Sequence, residues 1–298
     1  MASNKIKKTI GEILFDGLNV ALMFFMMLIT LYPFLNVLAV SMSDYTEYVN
    51  HPMMFYPRKF DFSAYKLMFH NPLLLSSYKN TLFIAIVGTA VNMALTLLTA
   101  YPLSKKYLRG NKIIMVMILF SMMFGGGMIP NYLLVKNLGL LNSLWALILP
   151  GAMSAYNMIL MRTFLETIPD SLEESARMDG ASDLTVLIRI ILPLSMPAMA
   201  AIALFYAVSN WNIFFSAVIY TSDRSKWTLQ LLLREIILDS AQAAQEASGS
   251  AAPENGGMVN TQNIKTAAII VTVLPILMVY PFLQKYFVKG IMLGAVKQ

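Results

Sequence analysis

Cysteine is absent from the 298 residues, which removes disulfide frameworks, thiolate nucleophiles and cysteine-bound metal at a stroke. Histidine is nearly absent too. His51 and His70 share one polar stretch, neither has a second imidazole at ligand spacing, and both read as ordinary loop residues rather than metal ligands or bases. Charge is scarce: Asp, Glu, Lys and Arg make up 13% of the chain, against roughly 25% in soluble globular domains, while 57% is hydrophobic. So few charges cannot clothe a soluble surface. The net charge of +6 does not indicate nucleic acid, because the Lys and Arg residues are scattered between apolar runs instead of forming a basic patch with stacking aromatics. Positive charge beside apolar runs is the topology signal of a membrane protein.

What is present is a series of long windows without an ionisable residue. Asp16 to Asp44 encloses 27 positions, Lys79 to Lys105 encloses 25 and Lys112 to Lys136 encloses 23. Lys136 to Arg162 encloses 25, Arg189 to Asp223 encloses 33 and Lys265 to Lys285 encloses 19. A helix needs about 20 mostly apolar residues to cross the hydrocarbon core, so the expected spans are 17–40, 80–104, 113–135, 139–162, 196–220 and 264–286. They must be helices because lipid offers no partner for backbone N–H and C=O groups, and the alternating strands of a barrel are nowhere visible. The first apolar run, 17–40, is too long for the core of a cleaved signal peptide and is expected to stay as the first span. Gly125, Gly126 and Gly127 are not followed by Gly-Lys-Ser/Thr, so they do not form a phosphate loop; they are expected to break a helix and let it bend. The 23 methionines lie within apolar runs and suit adaptable packing.

An even number of spans puts both termini on one side. That side collects 13 Lys and Arg residues, in the arm carrying Lys5, Lys7 and Lys8, in 104–112, in 162–189 and in the tail; the other side has 9, spread over longer segments. The positive-inside rule places both termini in the cytoplasm. The external connections are then 41–79 and 221–263, and the second ends in small polar sequence around 241–257 that suits a mobile tip or a docking site for a partner.

The most informative segment is cytoplasmic, 167–193. With Glu166 just ahead, it holds six of the 16 carboxylates, and Pro169 and Pro193 flank it. Ser171 with Glu174, or Asp170 with Glu173 in a competing register, forms a capping box that starts a short helix after Pro169. Gly180 is the natural stop, and Ser182 or Asp183 can cap a second helix ending before Pro193. Two short helices meeting at a glycine make a compact elbow.

Within it stand Glu174-Ser175-Ala176, then Gly180 after three residues, then Ile190-Ile191-Leu192-Pro193 after nine more. This resembles the cytoplasmic signature of binding-protein-dependent ABC importer permeases, Glu-Ala-Ala, three residues, Gly, nine residues, Ile-x-Leu-Pro. The one departure, Ser175 for Ala, keeps a small side chain. The likeness covers most of the chain. Arg177-Met178-Asp179-Gly180-Ala181, Trp211-Asn212, Gly126-Gly127-Met128-Ile129-Pro130 and the tail Gly294-Ala295-Val296-Lys297 look like the carbohydrate-uptake branch, in particular the smaller permease of the maltose importer and the multiple-sugar and oligosaccharide permeases.

The resemblance implies an all-α integral membrane protein, residues 1–298 forming one transmembrane domain of six helices with a cytoplasmic two-helix coupling elbow. It implies that Glu174, Ser175, Ala176, Asp179, Gly180, Ala181, Ile190, Leu192 and Pro193 couple the chain to an ATPase. No covalent chemistry is then expected of this chain, and it needs no cofactor or metal of its own, with ATP and Mg held by a cytoplasmic ATPase dimer. The other implied partners are a second permease subunit, an external solute-binding protein and an oligosaccharide, in a bacterial cell membrane. The tail resembles one that reaches the ATPase in related permeases, although Lys285, Lys289 and Lys297 would also serve as membrane-surface anchors.

Polar residues at lipid depth tend to face a path or another helix. Asn92, Tyr156, Asn157, Asn210, Trp211 and Asn212 are the candidates for contact with solute, since amides beside aromatic rings suit a sugar. Two alternatives stand beside the sugar importer: an ABC permease for another solute, and an ion-coupled secondary transporter. The second would usually carry an ionisable residue inside a span, and the charge-free windows hold none. A membrane enzyme would need convergent nucleophile, base or metal ligands, and none can be assembled.

Overall fold

The computed structural model describes residues 9–249 and 262–278; among these the regular elements are helices joined by loops, with one isolated antiparallel bridge between Ser43 and Phe60. The chain divides into two compact units. One comprises Met1–His70 and Ile236–Val271, the other Asn71–Glu235 and Thr272–Gln298. The basic N-terminal arm, residues 250–261 and the tail with Lys285, Lys289 and Lys297 lie outside the described residues, as does the end of the expected span 264–286.

In the first unit, α1 (Ile10–Ser41) runs for 32 residues, about 48 Å at 1.5 Å per residue and ample for a hydrocarbon core of about 30 Å. Its start is a capping box: Glu12 Oε2 accepts from the Thr9 N–H at 2.8 Å. The expected window 17–40 lies inside it. Side chains are exposed along residues 10–31, and only Ala39, Val40 and Ser41 at its end are buried, against Met54 and Tyr48. Asn36 pins the following loop by donating to the Pro52 and Met54 carbonyls at 3.0 and 3.1 Å. Two short helices follow, α2 (Tyr45–Asn50) and α3 (Ser63–His70). The loop between them is shaped by Glu47, whose carboxylate accepts from the Arg58 and Lys59 N–H groups, and by an ion pair of Lys59 with Asp44 at 2.8 Å. That pairing raises the Lys59 pKa above its ordinary value.

In the second unit, α4 (Pro72–Ser104) is the long element, 33 residues. Asn71 caps it, accepting from Leu73 N–H at 2.9 Å, and Pro72 occupies the first turn, where its missing N–H costs nothing. A π turn at Ile84–Gly88 interrupts the α ladder. Asn111–Met123 (α5) and Met128–Asn137 (α6) are bent by 111° at the three glycines, with Gly127 at φ 83°. The expected break is therefore a sharp turn, and the window 113–135 holds two helices rather than one. The window 139–162 likewise holds no continuous helix: α7 (Trp145–Ile148) and α8 (Ala155–Leu165) are separated by a loop capped at Ser154. The elbow helices are α9 (Asp170–Met178) and α10 (Asp183–Leu194), and α10 meets α11 (Met196–Trp211) at 83°. A break at Asn212–Phe214 separates α11 from α12 (Phe215–Tyr220). α13 (Leu229–Gly249) and α14 (Gln262–Met278) carry residues of both units.

One core of the second unit joins α4, α8, α10 and α11 through Leu97, Ala100, Met158, Met161, Leu187 and Ile202. Polar ties cross it. Asn92 Nδ2 donates to the Gly151 and Ala152 carbonyls at 3.1 and 2.8 Å, and its Oδ1 accepts from Asn210 Nδ2 at 3.0 Å. Asn210 also donates to Thr89 Oγ1 at 3.2 Å. One turn further along α4, Thr96 shares a 2.7 Å hydrogen bond with the Tyr206 hydroxyl, which also accepts from Ser154 N–H at 3.0 Å. The approach of α11 to α4 is close because residue 88 is glycine. A Cβ there would lie 2.9 Å from Asn210 Nδ2, whose amide is held on two sides. Gly88→Val should therefore displace Asn210 and lower stability by about 1–3 kcal/mol, read as a lower thermal unfolding midpoint in detergent; an unchanged midpoint would contradict the packing described.

Candidate functional site

The elbow is built from local hydrogen bonds first. Its central turn is a complete glycine-terminated helix end. Gly180 takes φ 83°, its N–H donates to the Arg177 carbonyl at 3.0 Å, and the Ala181 N–H donates to the Ala176 carbonyl at 3.0 Å. Ser182 caps α10 by accepting from the Thr185 N–H at 3.3 Å. The expected capping box at the other end does not form. α9 is capped by Pro169, with no side-chain acceptor, in neither of the two registers read from Ser171 and Glu174 or Asp170 and Glu173.

The helix begins at Asp170, so Asp170 and Ser171 lie inside its first turn rather than at the cap, and Glu173 points inward. Its carboxylate is 5% exposed and pairs with the Lys105 ammonium, 7% exposed, at the end of α4. The Tyr101 hydroxyl donates to Glu173 Oε2 at 3.4 Å, and Asp170 stands 3.8 Å from the same ammonium. One turn on, the Arg177 guanidinium donates to the Tyr107 hydroxyl at 2.9 Å and pairs with Asp183 at 2.9 Å. Chiefly because of that hydrogen bond to Tyr107, with Asp183 adding to it, the Arg177 pKa lies above the ordinary guanidinium value. Arg162 braces the same corner by donating to the Leu103 carbonyl at 2.8 Å. A cleft of about 400 Å³ opens beside the pair, lined by Leu98, Tyr101, Leu184 and Leu187 among others.

The residues of the expected motif then fall into two sets. Glu174, Ser175, Asp179 and Gly180 are exposed. Ala176 and Ala181 are half-buried against the core, Ile190 and Leu192 are half-buried on α10, and Pro193 is exposed within α10, which runs past it to Leu194. Glu173, Lys105 and Tyr101 were not foreseen. The available signal was spacing: positions 173 and 176 share a face of α9, and Ala176 packs on the core.

The expected solute contacts divide as well. Asn92 and Asn210 meet each other and spend their hydrogen bonds between helices. Asn157 is buried and Tyr156 is 54% exposed on α8. Trp211 is buried, and its Nε1 has no hydrogen-bond partner among the described residues. Asn212 is exposed, but it donates to the Val208 carbonyl at 2.9 Å and accepts from Gln230 at 3.1 Å. Among the described residues, no cluster of three His, Asp or Glu side chains is placed to hold a metal ion.

The profile of the family described as "binding-protein-dependent transport system inner membrane component" matches residues 18–293. The chain belongs to that family. It is a membrane-integral permease subunit of an ABC importer, a transport protein and not an enzyme, and works with a partner permease, an ATPase and a solute-binding protein. It is 44% identical over 288 residues to the polygalacturonan/rhamnogalacturonan transport system permease protein YtcP of Bacillus subtilis, covering 95% of this chain and 98% of that one. It is 43% identical to the protein LplC of the same organism, covering 95% of each. Among solved structures, it is similar to the crystal structure of a bacterial ABC transporter involved in the import of the acidic polysaccharide alginate. There the TM-score is 0.84 and the identity 33%, with 95% of this permease and 100% of that chain covered.

The buried pair in this permease carries a stability consequence. Removing one partner of a buried ion pair strands the other charge, at a cost of about 3–5 kcal/mol, whereas replacing both with apolar groups is often neutral. Glu173→Ala should accordingly lower the unfolding midpoint strongly, and Lys105→Met combined with Glu173→Leu should restore most of it; equal loss in both variants would refute the pairing.

Proposed function

We propose that this permease spans the membrane six times with both termini in the cytoplasm of a bacterial cell, and that the elbow, residues 167–193, is the surface on which the ATPase acts. The observation that carries the reading is the division of α9 into two faces. Glu173 and Ala176 turn inward, while Glu174, Ser175 and Asp179 are presented outward on a rigid, glycine-closed turn. A lever needs a stiff anchored side and a free contact side, and small residues on the free side let a partner approach closely. ATP and Mg belong to the ATPase subunits in this reading.

The solute is an oligosaccharide delivered by the external binding protein, and its class is acidic. Support for acidity comes from the company the chain keeps: a permease named for polygalacturonan and rhamnogalacturonan, and an importer of alginate. Near the break after α11, the exposed Asn212 with the half-buried Gln230 and the buried indole of Trp211, together with the exposed Tyr156 on α8, are the remaining candidates for the path. Asn92 and Asn210 serve instead to hold helices together.

Cysteines at Ser175 and Ser182, both exposed, should crosslink to the ATPase in the assembled complex with a yield that changes on nucleotide binding. Absence of crosslinking at both sites would remove the coupling role. In proteoliposomes holding the whole importer, labelled di- to tetra-galacturonate should be taken up in preference to malto- and arabino-oligosaccharides, and equal uptake of the neutral sugars would sink the acidic assignment.

A further inference from the structure

Helix α9 is fastened to the end of α4 at two points, one buried at Glu173 and one exposed at Arg177. Glu173 and Arg177 stand four residues apart, so they lie one above the other on the helix. Glu173 meets Lys105 and Tyr101, and Arg177 meets Tyr107. All three of those residues belong to the last turn of α4 or to the bend directly after it. A single contact would let α9 pivot; two contacts a turn apart on the same neighbour suppress rotation as well as separation. Arg177 extends the fastening across Gly180 by pairing with Asp183 on α10, at 2.9 Å. The carboxylate–ammonium pair is shut off from solvent, so water does not screen it, and it cannot exchange for hydration without exposing both charges.

The helix at the other end of this fastening is α4. It carries Asn92 and Thr96, whose hydrogen bonds reach the 151–152 carbonyls, Asn210 and Tyr206. Its companion α11 begins beyond the 83° bend after α10. Force arriving at the elbow thus has two routes inward: along the backbone of α10 into α11, and sideways through side chains into α4.

We propose that Lys105 and Glu173, with Arg177 and Tyr107 as a second rivet, are positioning residues that make the elbow and the adjoining end of α4 one rigid body, so that movement imposed on the elbow is delivered directly to the helix carrying Asn92 and Thr96. This deepens the coupling reading and rests on it. Glu173, and not only the outward Glu174 of the motif, is then a residue of the transmission.

The test uses the complete importer reconstituted in lipid nanodiscs, with spin labels at Leu98 on α4 and Leu172 on α9, both exposed. The parent should give a single label-to-label distance distribution that does not change between the nucleotide-free and vanadate-trapped states. Glu173→Gln should broaden that distribution and make it shift on trapping while ATP hydrolysis continues. The charge exchange Lys105→Glu with Glu173→Lys should return it to the narrow, state-independent form, which a role in bulk packing alone would not produce. A parent distribution that itself shifts with nucleotide overturns the proposal, as does a Glu173→Gln protein that behaves like the parent. Should Glu173→Gln fail to assemble, the parent and the charge exchange decide, and a broad distribution in either overturns it. Crosslinking at Ser175 in the same samples separates the two ideas: a persisting crosslink with a slack joint defeats the joint alone, whereas loss of the crosslink in the parent defeats the coupling reading beneath it.

Discussion

A peptide group in hydrocarbon has only other groups of the protein to bond, and the structure follows from how this chain meets that demand. Where the backbone stays helical, the demand is met within the helix. Where a helix breaks, a side chain stands in. Ser195 Oγ donates to the Ile191 carbonyl at the bend into α11. Thr81 accepts the Leu229 N–H at the start of α13, and Asn80 donates to the carbonyls of Ser225 and Trp227 just before it. Asn142 accepts from the N–H groups of Ser222 and Asp223 at 2.7 and 3.0 Å. These breaks lie in the second unit, and at each of them a small polar side chain bonds the backbone.

The same demand explains why amides in apolar surroundings became ties between helices. An amide offers two donors and an acceptor, and leaving any of them unpaired away from water costs about 1–3 kcal/mol. Asn92 satisfies its group by reaching two carbonyls of the 151–152 turn and the amide of Asn210. A residue so committed is costly to recruit for a passing solute. Among the described residues the indole N–H of Trp211, the Ser77 hydroxyl and the Asn263 amide oxygen are buried without a hydrogen-bond partner.

The elbow shows how neighbouring residues of like charge come to opposite duties. Successive positions on an α-helix point about 100° apart, so Glu173 and Glu174 cannot share a face. One is drawn into a buried pair with Lys105, and the other stays exposed among the small residues of the motif. The rigidity of the turn comes from Gly180, whose left-handed conformation closes α9 with two backbone hydrogen bonds.

Much was legible in the residues alone. The charge-free windows announced long apolar helices, the three glycines announced a break, and the spacing from Glu174 to Pro193 announced the family, because each of these is a local property of composition or fixed spacing. The tertiary structure decided what depends on which surfaces meet. It made the break at the three glycines a 111° bend, and it split the window 139–162 into shorter helices around the 151–152 turn, whose carbonyls Asn92 holds from α4. It turned Asn92 and Asn210 toward each other, and it cancelled both capping boxes of α9. Glu173 went to Lys105, 68 residues away in the chain, and no pattern confined to one segment can reveal a partner brought close only by folding.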